Sequence, residues 1–108
     1  MRNKIIKIDG ITFRSIKEGR RYSELKLMER AGLIKGIWLQ RQFIIMDAVF
    51  TIKKKPIYYY CDFDYTDIKT GLRIYEDVKG RKKGTQYDLF CLKAALVKMK
   101  YNIDIQEI

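Results

Sequence analysis

The sequence contains no histidine. That excludes Ser-His-Asp and Cys-His nucleophiles, imidazole zinc sites and histidine general bases together. An enzyme built from this chain has to work with carboxylates, lysines, tyrosines and a hard metal ion. There is one proline and no Ser/Gly/Pro-rich run, so nothing marks a linker. The two cysteines, Cys61 and Cys91, are isolated. They form no CxxC site and are expected to be reduced thiols in a cytoplasmic protein. No apolar stretch is long enough to span a bilayer. The opening residues, MRNKIIKIDG, lack the apolar segment of a secretory signal, so export is not expected. Internal repeats are absent as well.

What is present is positive charge. Lys and Arg number 23 against 13 Asp and Glu, a formal net charge of +10 over 108 residues. A small folded domain with that excess usually meets a polyanion, most often nucleic acid, with an anionic membrane surface as the rival. Hydrophobic residues make up 47% of the chain, enough for it to fold. The length suits a single domain over residues 1–108.

The pattern along the chain predicts an α/β order. Asp9-Gly10 between short apolar runs reads as a hairpin turn. Ser15 with Glu18 three residues on is a capping box, opening a helix whose stripe is Tyr22, Leu25 and Met28 and whose stop is Gly32. IKGIWLQRQFIIMDAVFTI is one long strand, or two joined by a turn near Asp47. Residues 57–65 and 72–79 form a hairpin around a polar turn ending at Gly71. A second helix carries Leu89, Leu92, Leu96 and Met99, with Phe90 and Val97 beside them. Alternating Ile103, Ile105 and Ile108 suggest a last strand. Two helices flanking a mixed sheet follow from this order.

Strand alternation then sorts the polar residues. On 72–79, Asp77 and Lys79 share the polar face, while Glu76 points with Ile74 and Val78, at a solvated rim or in a salt bridge. On 57–65, Tyr58, Tyr60, Asp62 and Asp64 share one face, and Ile57, Tyr59, Cys61, Phe63 and Tyr65 the other. Antiparallel pairing brings Asp62, Asp77 and Lys79 within reach of one point. Two converging carboxylates repel unless a cation lies between them, and oxygen ligands suit Mg²⁺ or Mn²⁺. A lysine beside them can neutralise charge on a phosphate. The plain alternative is a solvated Asp-x-Lys salt bridge of little energy.

CDF at Asp62 and DVK at Asp77, Val78 and Lys79 resemble the PD-(D/E)xK, restriction-endonuclease-like nucleases, with Cys61 where the proline usually stands. More closely, the stretches GITFRSIKEGRRYSELKLMERAGLI, LQRQF, YYCDFDY, YEDVKG and LKAALVKMKY are similar to small phage-encoded proteins related to Holliday junction resolvases. The resemblance covers nearly the full length. It implies a restriction-endonuclease-like fold and a Mg²⁺-dependent endonuclease that hydrolyses DNA, structure-selective for branched forms, working as a homodimer in a bacterial host cell. It implies Asp62, Asp77 and the backbone carbonyl of Val78 as metal ligands and Lys79 as the catalytic lysine. Glu18 matches a helix glutamate that joins such sites, although its capping role would also account for it. Gln40 matches a site glutamine of the LQ segment, and ordinary strand polarity is its alternative.

Two basic clusters complete the picture. Arg81, Lys82 and Lys83 lie between two glycines just after Lys79, and Lys53, Lys54 and Lys55 precede the aromatic strand. Either can hold phosphates with salt-sensitive affinity, or be a solvated loop. Tyr58, Tyr59 and Tyr60 can stack on unpaired bases, although packing within the sheet is the commoner use of strand tyrosines. The competing functional classes are a non-catalytic nucleic-acid-binding module and a phage regulatory protein that binds an acidic partner.

Overall fold

Asp9 and Gly10 both take left-handed backbone, with φ of 52° and 77°. A two-residue turn of this kind twists with the strands that flank it. It joins β1 (Ile6–Ile8) to β2 (Ile11–Phe13) as an antiparallel pair in the computed structural model, which describes residues 4–108. The hairpin sits on helix α1 (Ile16–Arg30) at Gly19, where an added Cβ would lie 2.8 Å from Ile6 Cγ2. The Ser15 side chain accepts the Glu18 N–H at 3.1 Å and starts the helix. Gly32 ends it at φ 78°. The Gly32 N–H donates to Glu29 O and the Leu33 N–H to Met28 O, closing the last turn.

Three antiparallel strands follow: β3 (Ile34–Met46), β4 (Ile57–Asp67) and β5 (Arg73–Asp77). β3 is a single long strand, and the chain reverses after it through a 3-10 turn, Ala48–Phe50. Helix α2 (Thr85–Tyr101) then returns the chain to β6 (Ile105–Glu107), which pairs parallel with β5. The sheet order is β3-β4-β5-β6, so the sheet is mixed. The strand expected over 72–79 is shorter than that and stops at Asp77. Main-chain bonds from Ile108 N to Asp77 O and from Lys79 N to Ile108 O still hold the segment beyond it in place.

Successive β5 residues show which helix covers which face. Ile74 packs with the α1 residues Tyr22 and Leu25, and Tyr75 packs with the α2 residues Phe90 and Val97. The helices therefore lie on opposite faces. β3 and β4 do not hold to one face along their length. Tyr59 and Cys61 belong to the α2 core, but Phe63 and Tyr65 belong to the α1 core. Ile37 and Leu39 go with α1, whereas Phe43 and Ile45 go with α2. Regular alternation would keep each odd-numbered set on one face. The register is unshifted across this crossing, from Leu39↔Phe63 to Arg41↔Cys61, which sets Gln40 opposite Asp62. Gln40 has φ 52°, a conformation costly for a residue with a Cβ, and this local twist swaps the faces.

The α2 stripe is also rotated from its expected position. Phe90 and Val97 are buried, whereas Leu89, Leu92 and Met99 are exposed. The core takes the aromatic and β-branched positions, and the i, i+3 leucines face outward. Among the described residues no helix is long and apolar enough to cross a membrane.

Candidate functional site

Extending the β4–β5 register one step past Phe63↔Glu76 sets Asp62 opposite Asp77. Both carboxylates line one open groove of about 870 Å³, together with Glu18, Gln40, Val78 and Lys79. Asp62, Asp77 and Lys79, expected within reach of one point, all line this groove.

The groove holds Asp62 at both oxygens. Gln40 Nε2 donates to Oδ1 at 2.9 Å and the Val78 N–H donates to Oδ2 at 2.9 Å. The strained Gln40 backbone therefore delivers its amide to a carboxylate, and strain of this kind tends to gather at working sites. Asp77 is 5% exposed, accepts the Tyr59 hydroxyl at 2.7 Å and has Lys79 Nζ 3.3 Å from Oδ2. Lys79 Nζ also lies 3.8 Å from the centre of the Phe90 ring, which fixes its direction. The Lys79 carbonyl is held in turn by Lys17 Nζ at 2.5 Å.

Burial and the facing Asp62 carboxylate push Asp77 up to about 8, and the Tyr59 hydroxyl and Lys79 offset only part of this. Burial and the Asp62 charge likewise raise Glu18 to about 7, with Arg14 acting the other way. The Glu18 side chain makes no hydrogen bond back to Ser15, so only the Ser15 half of the capping box forms and the carboxylate is left facing the groove. Two acids that hold protons near neutrality around a third carboxylate are the electrostatic signature of a place suited to a cation. Asp62, Asp77 and Glu18 supply the hard oxygen donors that Mg²⁺ or Mn²⁺ takes. Among the described residues, no three Asp, Glu or Cys side chains already close around a single point.

Of its two expected places, a solvated rim or a salt bridge, Glu76 takes the salt bridge, and it lies outside the groove. It is 1% exposed and receives Arg21 Nε at 2.9 Å, Arg21 Nη2 at 2.7 Å and the Tyr65 hydroxyl. Asp64, expected on the same strand face as Asp62, does not reach the groove. It is fully buried between Arg41 (Nε to Oδ2, 2.9 Å) and Arg73 (Nε to Oδ1, 2.7 Å). Both acids belong to paired structural networks on the sheet.

The basic loops lie outside the groove. Arg81, Lys82 and Lys83 are exposed between β5 and α2, with Lys82 Nζ 3.6 Å from Glu107. Lys53, Lys54 and Lys55 are exposed at the β3–β4 turn. The cations that do line the groove with Lys79 are Arg14 and Lys93, which sequence reasoning missed. Neither stands in a motif; only the packing of α1 and α2 around the sheet reveals them. Packing is the main role expected of Tyr59. It packs, and it also donates to Asp77.

No curated protein and no solved structure matches the chain. A family model described as "Protein of unknown function (DUF1064)" matches residues 1–106, and the chain belongs to that family.

Proposed function

We propose that the protein is a divalent-metal-dependent endonuclease of the PD-(D/E)xK type that hydrolyses DNA phosphodiesters, with a preference for branched substrates. The observation that carries this reading is the facing pair Asp62 and Asp77 with Lys79 Nζ 3.3 Å from Asp77, in a groove that also holds Glu18 and Gln40. The order helix, three antiparallel strands, helix, parallel strand agrees with a restriction-endonuclease-like domain. A net charge of +10 suits a polyanionic substrate.

Asp62 and Asp77, with Glu18 and the Val78 carbonyl, would hold Mg²⁺ or Mn²⁺, which supplies Lewis-acid stabilisation of a phosphoryl oxygen. Gln40 and the Val78 N–H orient Asp62. Lys79, aimed by Phe90, places its charge where negative charge develops on the phosphate. A domain this small leaves little room for long sequence readout, which favours recognition of DNA shape, and a two-fold dimer would allow paired cuts.

The second reading is nucleic-acid binding without cleavage. It draws on the lack of a closed three-acid cluster among the described residues. Incubation with linear, nicked, flap and four-way-junction DNA, with and without Mg²⁺ or Mn²⁺, separates the two. Metal-dependent cleavage lost in Asp77→Ala and Lys79→Ala is expected. Cleavage indifferent to metal or to both substitutions refutes the proposal, and binding with no cleavage anywhere in the panel promotes the second reading.

A further inference from the structure

The turn between β3 and β4 displays apolar side chains where a solvated loop would carry polar ones. Val49 is 70% exposed, Phe50 74% and Ile52 99%. The tip is nevertheless ordered. Thr51 Oγ1 lies 3.1 Å from Ala48 O and 2.8 Å from Lys55 O, and it accepts the Lys55 N–H at 3.0 Å. Phe50 N donates to Asp47 O, and Lys54 takes a left-handed φ of 57°. The tip so held presents Phe50 and Ile52 outward. Lys53, Lys54 and Lys55 follow at once, and among the described residues none of the three has a salt-bridge partner. The nearby Asp47 charge is matched by Lys100 at 3.8 Å. The radius of gyration, 15.1 Å, exceeds the roughly 13 Å of a compact domain near this length, consistent with an arm standing off the body.

We infer that this tip is a nucleic-acid wedge. Phe50 and Ile52 enter a distorted or unpaired base step while Lys53, Lys54 and Lys55 hold the flanking phosphates. Apolar side chains inserted between bases, with cations on the adjoining backbone, are a known way to grip bent DNA. A linear polyanion fits better than a lipid surface because the same hairpin leads from the tip to the carboxylate groove. Tyr58 and Tyr60 lie between, 6.2 Å apart by ring centres, with Tyr60 half exposed. From Ile57 to Asp62 the strand spans roughly 17 Å, about five nucleotide steps along one strand. The inference deepens the nucleic-acid part of the proposed function and rests on it, but not on catalysis.

The test measures binding without divalent cations, so that no cleavage intervenes. Four-way-junction and linear duplex DNA, with 2-aminopurine at the branch, are titrated at several salt concentrations. For Phe50→Ser/Ile52→Ser, junction affinity is expected to fall about tenfold or more and the rise in 2-aminopurine fluorescence to vanish, with the salt slope unchanged. Lys53→Ala/Lys54→Ala/Lys55→Ala should flatten the slope by about 2–3. Ile52→Ser alone, at a side chain almost wholly in solvent, guards against loss of fold and should show a smaller loss of the same kind. Unchanged junction binding and fluorescence in the serine variants overturns the wedge. So does loss of phosphatidylserine-vesicle binding with DNA binding intact, which would assign the tip to a membrane. Conversion of a dimer to a monomer would assign it to a second copy. Wild-type protein that binds no DNA at low salt refutes both this inference and the proposed function; binding without cleavage refutes only the nuclease.

Discussion

Replacing Asp77 by Asn should stabilise the metal-free protein at alkaline pH, although it removes a buried acid that accepts a 2.7 Å hydrogen bond. In the folded chain Asp77 keeps its proton up to about pH 8, against an ordinary value of 3.8. Between those values the folded state binds a proton that the unfolded state has released, so stability falls as pH rises through the window. Each decade of proton affinity is worth about 1.4 kcal/mol, and the full interval sets an upper limit on the order of 6 kcal/mol at pH 8 and above. Asn can still accept from Tyr59, and it removes the repulsion by Asp62. About a third of that limit, roughly 2 kcal/mol, makes the variant melt on the order of 10 °C above wild type in EDTA at pH 8.5, with the gap closing toward pH 4. Thermal melts across pH 4–9 read this directly. Millimolar Mn²⁺ should reverse the order at pH 8.5, because wild type gains from the ion and the variant loses a ligand. A pH-independent difference, or a variant less stable than wild type at pH 8.5 in EDTA, would show that Asp62 and Asp77 are not in conflict and would remove the electrostatic ground for a cation there.

Glu76→Ala leaves the Arg21 guanidinium and the Tyr65 hydroxyl facing an emptied buried site, and a loss of about 3–5 kcal/mol in urea unfolding is expected; a loss below about 1 kcal/mol would mean that the network contributes little. Gln40→Gly relieves a left-handed backbone costing about 1 kcal/mol and deletes the amide that holds Asp62. It should leave the melting temperature level or higher while cleavage drops; a marked fall in melting temperature would show that the side chain serves the fold. A thiol reagent at pH 8 should label Cys91, which is exposed, and spare Cys61 until denaturant is added, since burial pushes Cys61 up to about 12. Two thiols reacting at equal rates would contradict that burial.

Local chemistry made the turns and caps legible. Asp9-Gly10 supplies a turn that needs two left-handed residues, Ser15 a helix start, and Gly32 a helix stop. The juxtaposition of Asp62, Asp77 and Lys79 was also within reach, because antiparallel pairing fixes who faces whom once the turn is placed. The face swap at Gln40 and Asp62 was hidden, since alternation rules assume a strand that keeps its twist and no residue type announces a left-handed glutamine. Its consequence is visible in β4, where Cys61 and Phe63 share a parity and serve different cores. The partners of Asp64 and Glu76 were hidden for another reason. A carboxylate in an aromatic strand signals that something satisfies it, but composition does not say whether that partner is an arginine 23 or 55 residues earlier in the chain or a metal. The α2 stripe failed because Leu89 and Leu92 compete with Phe90 and Val97 for one face, and packing against the sheet selected the latter.

The face swap divides the molecule mechanically. Each half of the long hairpin is tied by its side chains to a different helix, and the two packing units meet along β3 and β4 where Gln40 donates to Asp62 and Arg41 to Asp64. The groove opens at that seam, lined by Gln40 and Asp62. Whatever bridges Asp62 on one strand and Asp77 on the next therefore acts as a rivet between the halves. Occupancy of the site and stiffness of the whole domain would then rise and fall together.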